Sequence, residues 1–179
     1  MRRVPTVSIA PFEPDDRRAF ADLNLAWLVG HGLLEPADEK QLNDPETHVF
    51  ARGGEIFMAR LGAATVGCCA AIPHGDGVIE VAKLAVDPSA QGHGIGRKLV
   101  HAALRFGQAR QCTTAMLTSS TKLSAALRLY ESLGFVYCPV PADVPYLSVD
   151  VYMQLDLTGW VIPRAARRPG RGVRRDTPA

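Results

Sequence analysis

Apolar residues recur at helical spacing in the first fifty positions and then, from Glu55 onward, fall into alternating or continuous runs typical of strands. Residues 6–12 read as a short first strand. Phe20, Leu23 and Trp27 then mark one helix face behind the acidic start Pro14-Asp15-Asp16, and Gly30 and Gly32 end it. A second short helix is predicted over 36–42. A third starts at Asp44-Pro45-Glu46, with Asp44 as N-cap and Pro45 at the first helical position. Residues 55–61 and 65–72 read as an antiparallel hairpin turned at Gly62-Ala63-Ala64. A turn-rich loop over 73–77 follows. Residues 78–86 are an apolar run broken only by Glu80 and Lys83, which suits a central strand ended by Asp87-Pro88. Ile95, Leu99, Ala102, Ala103 and Phe106 define the clearest amphipathic helix. A short strand is predicted over 113–118. Leu123, Ala126, Leu127, Tyr130 and Leu133 give another helix, with Ser124 as candidate N-cap and Gly134 at its stop. Residues 135–138 and 148–157 are the last strands.

This order predicts an α/β domain with a mixed, partly antiparallel sheet flanked by helices, the 78–118 unit being a right-handed crossover. No internal repeat at solenoid spacing exists. A length of 179 residues suits one domain, expected over 1–159, with a basic tail over 160–179. The tail from Pro163 is Arg, Gly and Pro. It cannot bury enough apolar surface to offset its ordering entropy and is predicted disordered.

Charge sharpens that division. The net +2 splits into +5 over the stretch from Trp160, with six arginines and Asp176, and −3 over the rest. No run approaches the length of a membrane-spanning helix, and the first residues lack a secretory h-region, so a cytoplasmic protein without a membrane partner is expected. Cys68, Cys69, Cys112 and Cys138 form no C-x-x-C pair, and adjacent Cys68 and Cys69, in an apolar run, read as reduced core thiols. His31, His48, His74 and His101 are scattered without spaced carboxylate or thiol partners, so no metal is expected.

The segment that carries chemistry is Gln91-Gly92-His93-Gly94-Ile95-Gly96-Arg97-Lys98, between the central strand and the best helix. Alternating glycines turn backbone N–H groups inward, and the helix N-terminus behind them offers unpaired donors and the positive dipole end. Such a loop cradles phosphate, with Arg97 and Lys98 as nearby charge. It matches neither a dinucleotide fingerprint nor a Walker A loop. A ligand-free glycine-rich turn is the plain alternative.

Gln91, Gly94 and Gly96 match the [QR]-x-x-G-x-[GA] motif of the GNAT superfamily of acyl-CoA-dependent N-acyltransferases, which the segment resembles. Residues 80–86 resemble that family's fourth strand. Residues 126–135 resemble its A-x-x-L-Y-x-x-x-G-F block. The resemblance covers about residues 55–157, and the N-terminal helices fit the family's variable substrate lobe. It implies a three-layer GNAT-like fold and acetyl-CoA as co-substrate. The pyrophosphate would rest on Gly92, His93, Gly94, Ile95, Gly96 and Arg97, and the pantetheine arm on the backbone of Leu84, Ala85 and Val86. A backbone N–H there would stabilise the oxyanion. His93 would touch phosphate or merely fill a variable position.

Acetyl transfer needs a neutral amine, so a base must take a proton, directly or through water. Glu80 interrupts an apolar strand and matches the family's base position in some members. The other reading is a carboxylate satisfied locally or by Lys83, which on a regular strand points the opposite way and would need a β-bulge. Tyr130 matches the family's general acid, and is otherwise a core tyrosine among Leu123, Leu127 and Leu133. Many relatives carry Asn at the end of the fifth strand. Here that stretch is Thr118-Ser119-Ser120-Thr121, with Ser120 as the cofactor-binding candidate. Residues 13–55 hold ten acids against four bases, either a lobe that attracts a cationic amine or a solvated surface. The expected partners are a small-molecule or protein amine, with a homodimer open and nucleic acid disfavoured despite the tail. The rival reading is an acyl-CoA-binding sensor that does not turn over.

Overall fold

The computed structural model describes residues 6–162. The tail expected to be disordered from Pro163 lies outside the described residues. Seven strands form one sheet in the order β1-β2-β3-β4-β5-β7-β6. They are β1 (Val7–Pro11), β2 (Glu55–Leu61), β3 (Ala64–Gly75), β4 (Val78–Val86), β5 (Thr114–Ser119), β6 (Val136–Cys138) and β7 (Val151–Asp156). Every pairing is antiparallel except β4 with β5, which the helix α4 (Ile95–Ala109) connects. The expected mixed sheet is therefore present.

Each face of the sheet carries its own core. On one side Leu99, Val100, Ala103 and Leu104 of α4, with Leu127, Tyr130 and Leu133 of α5 (Ser124–Leu133), pack on Cys69, Ile79, Val81, Leu117 and Met153. On the other, Phe20 of α1 (Arg17–Gly30) and Leu42 of α2 (Pro36–Asn43) pack on Ile56, Met58, Cys68, Ala70 and Ile72. The adjacent cysteines serve opposite layers because neighbouring strand residues face opposite ways. Both are fully buried and free, matching their reading as reduced core thiols.

Several local expectations shift. A single 3-10 turn over Pro14–Asp16 precedes α1, where Asp16 is spent on a two-oxygen bond to Arg60 Nη2 at 2.9 and 2.8 Å. Asp44 caps α3 (Pro45–His48) as expected, accepting from the Thr47 amide at 3.1 Å. Ser124 does not cap α5: Leu123 holds the N-cap position and no side chain closes it. The buried stripe of α4 is rotated from the one read in the sequence. It runs through Ile95, Leu99, Val100, Ala103, Leu104 and Gly107, leaving Ala102 and Phe106 at its margin. Gly107 sets that rotation, since a Cβ there would lie 2.7 Å from Ile79 Cγ2. The loop expected over 73–77 is mostly strand, as β3 runs on to Gly75 before turning at Asp76-Gly77. β7 starts three residues later than expected because 139–150 form a strap between β6 and β7. Trp160 packs on the core, and its carbonyl accepts from Gln108 Nε2 at 2.8 Å. No helix among the described residues is long and apolar enough to cross a membrane.

Candidate active site

The sheet opens in its middle. β4 meets β5 only at Val78, Ile79 and Glu80, so the β5-facing edge of residues 81–86 is without a strand partner. A cavity of about 130 Å3 lies in the gap. Glu80, Lys83, Leu84, Ser120 and Tyr130 line it from the sheet and α5, and Asn24, Trp27, Asp38 and Tyr146 from the helical lobe and strap.

Two irregularities aim the side chains. The β3–β4 ladder jumps from Ala70 opposite Ala82 to Cys68 opposite Ala85, and Lys83 takes a left-handed φ of 52°. This is the bulge that a Glu80–Lys83 encounter would require, and it does bring both residues to one cavity. They do not pair there. Lys83 Nζ reaches Asp38 Oδ1 at 2.7 Å and lies 5.4 Å from the Tyr146 ring centre. Carbonyls loosened by the bulge take thiol hydrogen bonds, Ala82 from Cys69 and Lys83 from Cys68, each at 3.6 Å. The second irregularity lies between Pro73 and Gly75, where Pro73 opposes Ile79 and Gly75 opposes Val78. His74 is the extra residue, and its Nε2 sits 2.5 Å from Glu80 Oε2. A tight turn at Asp76-Gly77 folds position 74 back onto 80, a contact that no spacing in the sequence displays.

Tyr130 is both core and cavity residue. It is 7% exposed, makes an edge contact with Phe135 and still lines the cavity. Burial pushes its phenol well above the ordinary value, and neighbouring Cys69 adds to that. The Cys69 thiol of the same core is raised too, again chiefly by burial, and on the opposite face burial pushes Cys68 up to about 12. The Tyr146 phenol is likewise raised, first by burial and then by the charges of Asp38, Glu80 and Glu35. Ser120 is buried on the cavity wall, its hydroxyl accepting from the Lys122 amide at 3.4 Å.

The glycine loop stands at the other end of the open β4 edge. Gly92 and Gly94 have left-handed φ values of 78° and 72°, and no atom lies within 4 Å of where either would carry a Cβ. Gly94 begins α4 with no side-chain cap, leaving the first amides of Ile95, Gly96 and Arg97 without intrahelical partners. Gly96 lets α5 approach, since a Cβ there would meet Leu129 Cδ2 at 3.2 Å. Gln91 Nε2 donates to Val86 O at 3.1 Å, fastening the loop to the strand end, and His93 folds back on the carbonyl of Gln91 at 2.9 Å. Of the two charges expected near phosphate, Arg97 Nη2 donates to Ser132 Oγ at 2.7 Å, and Lys98 lines a groove with Ile9 and Phe57. The first turn of α4 adds backbone amides as donors.

The acidic lobe is largely paired off. Asp16 holds Arg60, Asp38 holds Lys83, Glu46 holds Arg17, and Glu35 accepts from the amides of Leu147 and Ser148. Asp38, Asn24 and Tyr146 were not singled out in the sequence. Asn24, buried on α1, donates to Phe20 O at 2.9 Å and Cys68 Sγ at 3.2 Å, and its only signal was a polar residue on a helix's apolar face.

Comparison with known proteins agrees with this geometry. The acetyltransferase (GNAT) domain model matches residues 52–137. The N-alpha-acetyltransferase RimI of Mycobacterium tuberculosis is 32% identical over 131 residues, covering 72% of this chain and 78% of that protein. The mycothiol acetyltransferase of Thermomonospora curvata is 33% identical over 143 residues, covering 79% of this chain and 48% of that protein. The yncA structure from Salmonella typhimurium, solved with its cofactor acetyl-CoA, superposes with a TM-score of 0.68 at 21% identity over 90% of this chain and 99% of that one. The splayed sheet with a glycine loop at its open edge is the architecture of an acetyltransferase fold, and the chain belongs to the GNAT acetyltransferase family. It spans about half the length of the mycothiol acetyltransferases it matches.

Proposed function

We propose that the chain transfers an acetyl group from acetyl-CoA to a single primary amine carried on a small molecule or a protein. The observation that carries this is the free β4 edge, which runs from the amides of the glycine loop to a cavity flanked by Glu80 and Tyr130. The residues fit such a co-substrate. Open space stands over Gly92 and Gly94, uncapped amides begin α4, and strand 81–86 offers backbone groups to an extended arm. Acetyl-CoA supplies an activated thioester there. The relatives' names, a mycothiol and an N-alpha-acetyltransferase, support an amine acceptor of either size.

Glu80 takes the proton that the acceptor must lose, directly or through one water. Tyr130 gives a proton to the departing sulfur. A raised phenol is a poor donor to a thiolate in water. In the core behind Tyr130 the Cys69 thiol is raised as well, so a sulfur buried beside the phenol becomes a better proton acceptor along with it. Ser120 holds the amide-bearing arm from the β5 side. Asp38 is neutralised by Lys83, which favours an acceptor with one positive charge over a polycation.

The test is thiol release from acetyl-CoA with three probes: a lysine-free hexapeptide with a free α-amine, its N-blocked counterpart with one lysine, and spermidine. A peptide amine should outpace spermidine. Glu80→Gln should lower kcat by about 100-fold, and Tyr130→Phe by about tenfold. Unchanged rates in both variants overturn the catalytic assignment. Tight CoA binding with no thiol release from any amine would instead favour a non-catalytic acyl-CoA sensor.

A further inference from the structure

We infer that His74 is a positioning residue for Glu80, an assignment that rests on the proposed role of Glu80. The two residues come together through a device that the hairpin does not need for its own ladder. Pro73 and Gly75 find partners on β4, and His74 is the residue left over between them. The bulge turns its ring to Glu80, where Nε2 lies 2.5 Å from Oε2. An ionised carboxylate only accepts hydrogen bonds, so the ring nitrogen facing it carries the proton. That donor holds one carboxylate oxygen and leaves the other for the acceptor amine. The carboxylate side chain is 18% exposed and the imidazole 33%, so the pair spans from cavity wall to water.

The charges around the pair are of both signs. Lys83, Asp38 and Tyr146 face it across the cavity, and Glu35 adds its field from the lobe. On the outer side Arg52 donates to Pro73 O at 3.4 Å, and Asp76 sits on the turn. In the reaction the ammonium first gives one proton to Glu80, which releases it to water. The neutral amine then forms the C–N bond, its nitrogen passes a second proton to Glu80 as the C–S bond breaks, and the sulfur receives its proton from Tyr130, after which exchange with water resets both groups. His74 loses and gains no proton in that sequence.

The experiment uses the full chain, acetyl-CoA and whichever of the three amine probes turns over fastest. His74→Ala should lower kcat by about tenfold while KM for acetyl-CoA changes by less than about twofold. His74→Gln keeps an N–H donor and should restore kcat to within about threefold. In a Glu80→Gln background, His74→Ala should have no further effect, since it acts through the carboxylate. A hairpin staple with no catalytic bearing would instead go without rescue by His74→Gln and lower the Glu80→Gln rate by its own factor, which overturns the inference. Independently of turnover, Glu80→Gln should displace the His74 ring nitrogen resonances, and a spectrum without that displacement overturns the pairing. If Glu80→Gln retains the parental rate while the resonances move, the base assignment fails and the contact alone survives.

Discussion

Single residues decide how closely the layers meet. Gly107 lies where α4 crosses β4, and a methyl group there would stand 2.7 Å from Ile79 Cγ2, in a core without slack. Gly107→Ala should cost about 2 kcal/mol by overpacking and lower the midpoint of thermal unfolding by about 6 °C. Calorimetry of the two proteins checks this, and an unchanged midpoint would mean that α4 can slide. The helical pattern was plain in the sequence, but the phase of its buried stripe was not. Ala102 and Phe106 are as apolar as Val100 and Leu104, and only the close approach at Gly107 chooses between the two faces. The roles read for Glu80 and Tyr130 rested on motif positions, while their partners depended on contacts that no spacing rule displays. Lys83 is an example: its i, i+3 separation from Glu80 argues for opposite faces until one left-handed residue cancels the alternation.

At the scale of elements, the strap between β6 and β7 is pinned by carboxylates. Glu35, ahead of α2, accepts from the amides of Leu147 and Ser148 at 3.1 and 2.8 Å. Asp150 accepts from the amide and hydroxyl of Thr121 at 2.7 and 2.6 Å. These bonds lower both carboxyls below their usual range, with Ser148 the leading cause for Glu35 and Thr121 for Asp150. A lowered folded-state value means that the stabilisation is complete above the unfolded carboxylate value and disappears as pH falls through the folded one. Hydrogen exchange at Leu147 and Ser148 should therefore accelerate relative to the sheet amides below about pH 4. Glu35→Gln should reproduce that acceleration at neutral pH. Equal protection at both pH values would show that Glu35 does not hold the strap. None of this was legible beforehand, because residues 139–150 lack periodicity and Glu35 lies 112 positions from Leu147.

Across the whole molecule, the acidic lobe read from composition resolves into paired side chains. Ion pairs with Arg17, Arg60 and Lys83 offset Glu46, Asp16 and Asp38, and backbone amides hold Glu35. The order of elements, the mixed sheet and the place of the glycine loop were all readable from periodicity and punctuation. The separation of β4 from β5 was not. Both strands look like ordinary central strands, and three paired positions cannot be told from six in a sequence.

That separation has a consequence for how the molecule holds together. A sheet is normally completed by its own chain, but here half of its central seam is left to whatever lies against residues 81–86. If the arm of the co-substrate fills that place, the reactant is also a structural part, fitted and withdrawn in every turnover. Saturating CoA, at roughly a hundred times its Kd, should then add about 2.7 kcal/mol and raise the unfolding midpoint by about 5–10 °C. It should also slow proteolysis and amide exchange along β4 more than along β2, and a uniform slowing would contradict the picture. The lifetime of the folded chain would then follow the supply of the thioester it consumes.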